Sequence, residues 1–203
     1  FLHISGSGVL SSISETLIVS LPTYSVQTNI VNDLCYQYHY DYRNRLVEKK
    51  IPQKGWEYIV YDKLDRPVLT QDEYQRLNDP TKKGWLFTKY DAFGRVAFTG
   101  QHISNLTRID IQAFVNSSTV LSETSSSTPT NINGVSLYYT NNVYPQNTLT
   151  VYTINYYDTY NPELSAAFSN PNVVLGTPVS SNTKTLPTGS KVRVLGTNDW
   201  TTT

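Results

Sequence analysis

The chain has 203 residues, 38% of them hydrophobic and 12% aromatic, and its 16 basic and 16 acidic residues cancel to a formal net charge of zero. That length and apolar content suffice to bury a core in one or two domains and argue against a disordered chain. Zero net charge leaves no global field to draw the protein onto nucleic acid or an anionic membrane, and no run approaches the roughly 20 apolar residues that span a bilayer.

The 16 Tyr, six Phe and three Trp, set among many Thr, Val, Asn and Ser, favour strands and turns, because aromatic and β-branched side chains fit a pleated surface. Long apolar runs at helical spacing are missing. The expected fold class is therefore all-β. A single cysteine, Cys35, excludes an internal disulfide, so packing and sheet hydrogen bonds must hold the fold. The opening Phe1-Leu-His-Ile lacks the basic and apolar regions of a signal peptide and the chain contains no Met, which reads as a piece of a longer polypeptide.

Residues 1–33 read as an N-terminal β segment, with one or two strands over the alternating Val9–Leu21, and Glu15 is the only charge before residue 31. Gly6-Ser-Gly8 lacks the length and the following Lys of a phosphate cradle and reads as a turn. Most charges fall between residues 31 and 110.

Residues 34–102 carry a repeated motif. Tyr40-Asp41-Tyr42-Arg43-Asn44-Arg45, Tyr61-Asp62-Lys63-Leu64-Asp65-Arg66 and Tyr90-Asp91-Ala92-Phe93-Gly94-Arg95 align without gaps as Y-D-x-x-[NDG]-R. Asn, Asp and Gly at the fifth position share a tolerance for left-handed backbone, which a tight hairpin turn requires. The Asp at the second position can brace the turn by accepting amides two residues on. Gly55-Trp56-Glu57-Tyr58 and Gly84-Trp85-Leu86-Phe87 lead into the second and third turns, and Leu34–Asp41 occupies the same place before the first. Each unit is read as strand, turn, strand. Period two puts Trp56, Tyr58 and Val60 on one strand face and Tyr36, Tyr38 and Tyr40 on one face of the first. Units this short cannot bury their own faces and must stack into an array.

Residues 103–134 break the pattern, and the polar Ser117–Thr130 reads as a linker or long loop. Residues 135–203 read as a second β-rich segment. Val135–Thr140 pairs there with Thr148–Tyr157, Tyr157-Asp158 echoes the motif without its Arg, and Lys191–Leu195 is a late strand.

The three motifs, the Gly-Trp lead-ins and phrases such as YDYRNRLVEKKIP, YDKLDRPVLTQD and TKYDAFGRVAFTG resemble the RHS or YD-repeat proteins of bacteria over residues 34–101. The closing KTLPTGSKVRVLGT is similar to the non-repeat spacers of large secreted members, just before a further unit begins. The resemblance implies antiparallel hairpins joined into a curved ribbon, part of a hollow shell that can enclose a toxic effector polypeptide. It implies a secreted or bacterial cell-surface protein, with the rest of its own chain, the enclosed polypeptide and a secretion machinery (type IX or type VI) as partners. No cofactor and no enzymatic activity are expected of this segment. No sealing core or toxin is recognisable in it.

Other chemistry-bearing residues take a structural reading. Cys35 and His39 stand four residues apart on a strand, about 13 Å, too far to exchange a proton, so Cys35 is expected to be a half-buried thiol. His3, His39 and His102 show no metal-ligand spacing. Asp41, Asp62 and Asp91 repeat with their Tyr in one turn context, which argues architecture rather than catalysis. Asn105-Leu-Thr107 and Asn116-Ser-Ser118 fit the glycosylation pattern by accident. Lys49, Lys50, Lys82 and Lys83 read as solvated loop charge. Trp56, Tyr58, Trp85 and Phe87 could form a stacking platform for sugars, with core packing as the favoured account. An adhesive or carbohydrate-binding surface, seated in residues 131–201, is the alternative function.

Overall fold

A computed structural model describes residues 28–77, 83–167, 173–178 and 182–203. The expected strands over Val9–Leu21, together with His3 and Lys82, lie outside the described residues. The fold is mostly β, built around one antiparallel nine-stranded sheet.

A short helix, α1 (Thr28–Leu34), enters the first strand, so the described end of the expected N-terminal β segment is helical. Three hairpins follow: β1 (Gln37–Tyr40) with β2 (Leu46–Lys50), β3 (Glu57–Tyr61) with β4 (Pro67–Gln71), and β5 (Gly84–Tyr90) with β6 (Val96–Ile103). Helix α2 (Glu73–Leu77) lies in the connection from β4 to β5. Neighbouring hairpins pair in turn, β2 to β3 and β4 to β5.

Residues 103–134, expected as a linker, are instead ordered. Helix α3 (Arg108–Ser117) starts at Thr107, whose hydroxyl accepts the Asp110 amide while the Asp110 carboxylate takes the Thr107 amide and hydroxyl. That reciprocal cap satisfies donors a helix start leaves unpaired. Its Ile111 and Val115 are buried in the core. Strand β7 (Ser125–Ile132) then pairs with β8 (Val135–Tyr139) through Asn133-Gly134, both at positive φ, 47° and 84°. Two consecutive left-handed residues make the tight hairpin whose twist matches its strands.

The pairing of 135–140 with 148–157 is corrected by this topology: β8 pairs with β7 in a separate two-stranded sheet, and β9 (Leu149–Tyr157) joins β6 in the large one. Helix α4 (Pro162–Ala167) and the small pair β10 (Val173–Val174) and β11 (Thr177–Pro178) fall between β9 and its partner β12 (Pro187–Arg193). Strand β13 (Trp200–Thr202) completes the sheet, in the order β1-β2-β3-β4-β5-β6-β9-β12-β13.

The core sits against the middle of this sheet. Trp85, Phe87 and Lys89 alternate inward from β5 while Leu86 is 43% exposed, the two-residue period of a strand with one covered face. Phe87 meets Phe98 edge-on at 6.0 Å, and Tyr139 of β8 stacks parallel on Tyr156 of β9 at 5.7 Å. Helix α3 is fastened to β3 by Gln112, whose side chain accepts from the Tyr61 amide and donates to the Tyr61 carbonyl.

Candidate functional site

The three Tyr-Asp turns are built alike, atom for atom. In each, one carboxylate oxygen of the Asp accepts two backbone amides: Arg43 and Arg45 on Asp41 (2.9 and 3.0 Å), Leu64 and Arg66 on Asp62 (2.9 and 2.9 Å), Phe93 and Arg95 on Asp91 (2.9 and 2.9 Å). The other oxygen takes the Arg Nε, at 2.8, 2.7 and 2.6 Å. The fifth residues Asn44, Asp65 and Gly94 have φ of 58°, 61° and 79°. Their amides donate to the Asp carbonyl. A left-handed residue there lets the chain reverse while the carboxylate gathers the inward amides.

Each turn also carries a bulge. Tyr40, Tyr61 and Tyr90 pair with Leu46, Pro67 and Val96, but the next pairs skip a residue of the return strand. The skipped residues, Val47, Val68 and Ala97, are buried at 3%, 4% and 0% exposure. An extra residue in one strand sharpens its twist and re-aims its side chains; here it turns one more apolar side chain inward.

The same arginines reach the next hairpin. Arg45 lies over the Tyr61 ring, Arg66 over Tyr90 and Arg95 over Tyr157, with the guanidinium carbon 4.9, 4.5 and 4.2 Å from the ring centre. Each of those tyrosines donates its hydroxyl back to the carbonyl after the arginine: Tyr61 to Leu46 at 3.0 Å, Tyr90 to Pro67 at 2.9 Å, Tyr157 to Val96 at 3.2 Å. Each Arg thus closes its own turn through Nε and grips its neighbour through its face. Cation–aromatic contacts of this kind contribute about 0.5–2 kcal/mol each. Arg45 adds bonds to the Asp62 carbonyl and the Asp65 carboxylate, Arg66 to the Leu121 carbonyl, and Arg95 a fork onto Asp158.

These contacts set the local electrostatics. Burial pushes the Asp41 carboxyl up, but hydrogen bonds from the Arg45 side chain and the Arg45 and Arg43 amides outweigh it and hold the group below its usual range. At Asp158 the Arg95 guanidinium, then the Thr185 amide, hold the carboxyl low. Arg95 is raised by its bonds to Asp158 and Asp91 against a smaller effect of burial.

The Tyr157-Asp158 echo is a fourth turn of altered form. Tyr157 pairs with Pro187 with the usual slip, and the Asp158 amide donates to Leu186, as Asp41 does to Arg45. Thr185, at φ 71°, stands where the fifth residue would be, and residues 159–184 are inserted within the turn. Leu186 replaces the Arg.

Sequence reasoning missed a second buried cluster. Lys89 and Glu123, with side-chain exposures of 1% and 0%, pair at 3.0 Å. Lys89 also donates to the Val143 carbonyl (2.7 Å) and to Asn141 (2.5 Å); Glu123 also accepts from the Thr140 hydroxyl and the Asn142 and Val143 amides. Burial lowers the Lys89 ammonium to about 8 against the raising effect of Glu123. The Glu123 amide donates to the Tyr90 carbonyl, so this cluster pins the 104–148 excursion onto the third turn.

The remaining candidates fall elsewhere. Trp85 and Phe87 are each 1% exposed and line the core, which removes them from any stacking platform. Trp56 stacks on His39 at 4.7 Å, and Arg76 covers Tyr58 at 4.3 Å, so both rings already hold partners. Cys35 is exposed rather than half-buried. Lys49 and Lys50 belong to β2, paired with Glu57 and Asn32, and are not loop charge. His39 bonds Glu48, and His102 donates from Nδ1 to the Asn147 carbonyl, its pKa lowered by burial. Among the described residues no three His, Cys, Asp or Glu side chains converge on a metal position. A groove of about 440 Å³ near the β7–β8 turn is lined by side-chain amides, among them Asn131, Asn133, Asn141, Gln146 and Asn147.

No family model matches the chain, and no curated protein or solved structure matches it either.

Proposed function

We propose that the chain is a structural segment of a large secreted or cell-surface protein of the RHS/YD-repeat type. In this reading it is a length of curved hairpin ribbon, part of the wall of a shell that encloses or carries a downstream effector polypeptide. One observation carries the reading: every Tyr-Asp turn from the first to the third spends its Arg on the hairpin that follows. Such a linkage extends a sheet by addition of like units, which is how a wall grows. The motif carboxylates are each occupied by two amides and a guanidinium, so they serve the turn and not an acid–base reaction.

Protease protection tests the container. In the full-length gene product, polypeptide downstream of this segment resists protease while the wall is intact, and Asp62→Ala with Asp91→Ala opens it to digestion. Equal digestion of the two proteins contradicts the reading.

The amide-lined groove supports a second reading, adhesion to carbohydrate, because side-chain amides match the paired donors and acceptors of sugar hydroxyls. A glycan array decides: robust binding lost in Asn133→Ala and Asn147→Ala favours adhesion over the wall.

A further inference from the structure

Lys89 lies in the core, outside the Tyr-Asp turns, and its three protons go to three acceptors: Glu123 Oε1 at 3.0 Å, the Val143 carbonyl at 2.7 Å and Asn141 Oδ1 at 2.5 Å. The third is a carboxamide, which an ion pair does not require. Asn141 is held at its other end as well, because its Nδ2 donates to the Gln146 carbonyl at 3.0 Å. Four donors fix the Glu123 carboxylate: Lys89 and the Val143 amide on Oε1, the Thr140 hydroxyl and the Asn142 amide on Oε2. An amine, a carboxamide and a carboxylate are thus in contact, each in one orientation. Nζ stands 5.2 Å from the centre of the Phe98 ring, and that fully buried ring packs on Phe87 and Tyr139, which keeps water from this side of the cluster.

The distances and the protonation suit a reaction between the amine and the carboxamide. With Nζ 2.5 Å from Oδ1 and a C=O bond of about 1.23 Å, Cγ of Asn141 is at most about 3.7 Å from Nζ. Reacting atoms poised to combine stand about 3–3.5 Å apart. Attack needs only a small shift of Nζ from the edge of the carbonyl onto its face. An amine attacks in its neutral form, and burial lowers Lys89 to about 8 against the raising effect of Glu123. About one molecule in ten then holds the neutral amine at pH 7, against fewer than about one in a thousand for a solvated lysine.

From this arrangement we propose that Lys89 and Asn141 join covalently, through an amide bond between Nζ and Cγ formed with Glu123 as the proton carrier and ammonia as the leaving group. Glu123 takes one proton from the Lys89 ammonium across their hydrogen bond. The freed electron pair of Nζ attacks Cγ, and the carbonyl electrons move onto Oδ1. Glu123 delivers its proton to Nδ2 and takes a second from Nζ. The carbonyl then re-forms as the Cγ–Nδ2 bond breaks, and ammonia departs into the groove that Asn141, Gln146 and Asn147 line. Glu123 returns its last proton to solvent or to the ammonia. The step exchanges one amide for another, so it needs no oxidant and no cofactor.

The bond ties β5 to the segment after β8 across 52 residues and locks the 104–148 excursion onto the third hairpin. A chain with one cysteine has no internal disulfide to do this, and a reducing agent does not open an amide.

Intact-mass spectrometry of the folded full chain tests the proposal. The expected mass is about 17 Da, one ammonia, below that of the sequence. The deficit persists in urea, and a protease digest yields a branched peptide that joins Lys89 to Asn141. Chain kept unfolded from synthesis has the full mass and loses the ammonia on refolding. Lys89→Met, Asn141→Ala and Glu123→Gln each read the full mass of their own sequence, with slow hydrogen exchange at the β5–β6 amides as proof that the variant is folded. Should the Lys89 or Glu123 variants fail to fold, the parent mass and the half-buried Asn141→Ala decide. A folded parent chain at full mass overturns the proposal. So does a deficit that survives Asn141→Ala, or one that maps to Asn133-Gly134, where succinimide closure also expels ammonia. An undiminished crosslink in folded Glu123→Gln contradicts the proton carrier and with it the proposal. The wall reading rests on the turns and stands or falls apart from this result.

Discussion

The second and fifth residues of the motif do different work, and they fail differently. Asp62 is nearly buried and supplies both oxygens to Leu64, Arg66 and its guanidinium, so Asp62→Ala leaves three donors unpaired and costs about 2–4 kcal/mol. Asn44 contributes backbone geometry, so Asn44→Gly is near neutral while Asn44→Val, β-branched at φ 58°, costs about 1–2 kcal/mol. Urea unfolding of the three variants separates the two roles. Acid sharpens the point. Asp41 and Asp158 have folded pKa values below their unfolded ones, so their stabilisation is full above the unfolded value of about 3.9 and is lost as pH falls through the lowered folded values. The urea midpoint is therefore expected to hold from pH 7 to 5 and to drop below about pH 4; a midpoint that rises on acidification contradicts this. Much of the residue scale was legible, because turn chemistry is local: three residues with nothing in common but left-handed tolerance stand at one position. The Arg-to-Tyr grip was not, since it joins residues whose distance along the chain varies with each connection.

At the scale of elements, the hairpins and the excursion from 104 to 148 are held by different means. The hairpins follow from strand pattern and turn. The excursion depends on burying Lys89 with Glu123 among five further hydrogen bonds, and removal of either partner leaves a charge in the interior. Glu123→Gln or Lys89→Met is expected to cost about 3–5 kcal/mol, and the pair Lys89→Met with Glu123→Leu to recover part of that loss. A double-mutant cycle by urea unfolding measures the coupling; additive losses contradict the pairing. Two local signals in this excursion stood in the sequence. Thr107 with Asp110 three residues on is a helix start, and Asn133-Gly134 is a hairpin turn. The Ser and Thr content of residues 117–130 masked both. The burial of Glu123 had no local signal, because its partners come from β5 and from the segment after β8. The fourth turn was half legible: Tyr157-Asp158 stood out as an echo of the motif, but the inserted residues 159–184 hid its closing half by separating Asp158 from Leu186.

At the scale of the whole molecule, the nine-stranded sheet has two edges among the described residues, β1 and β13. Open edges beside exposed Tyr36, Tyr38 and Tyr40 template pairing with other chains. Sedimentation velocity is expected to show self-association rising with concentration, and Tyr38→Lys to suppress it; a monomer at every concentration contradicts that expectation. A mostly β fold was legible from composition, whereas helices α1 to α4 and the order β6-β9-β12 were not, because long-range pairing depends on which strand faces remain free after the hairpins form. The central claim is that the segment is wall rather than binding surface. Electron cryomicroscopy of the full-length gene product tests it most directly. The account predicts a continuous antiparallel wall in which a further hairpin pairs with β1 and the sheet runs on past β13, with downstream polypeptide inside. Bare β1 and β13 edges in an unclosed particle with nothing enclosed would contradict it.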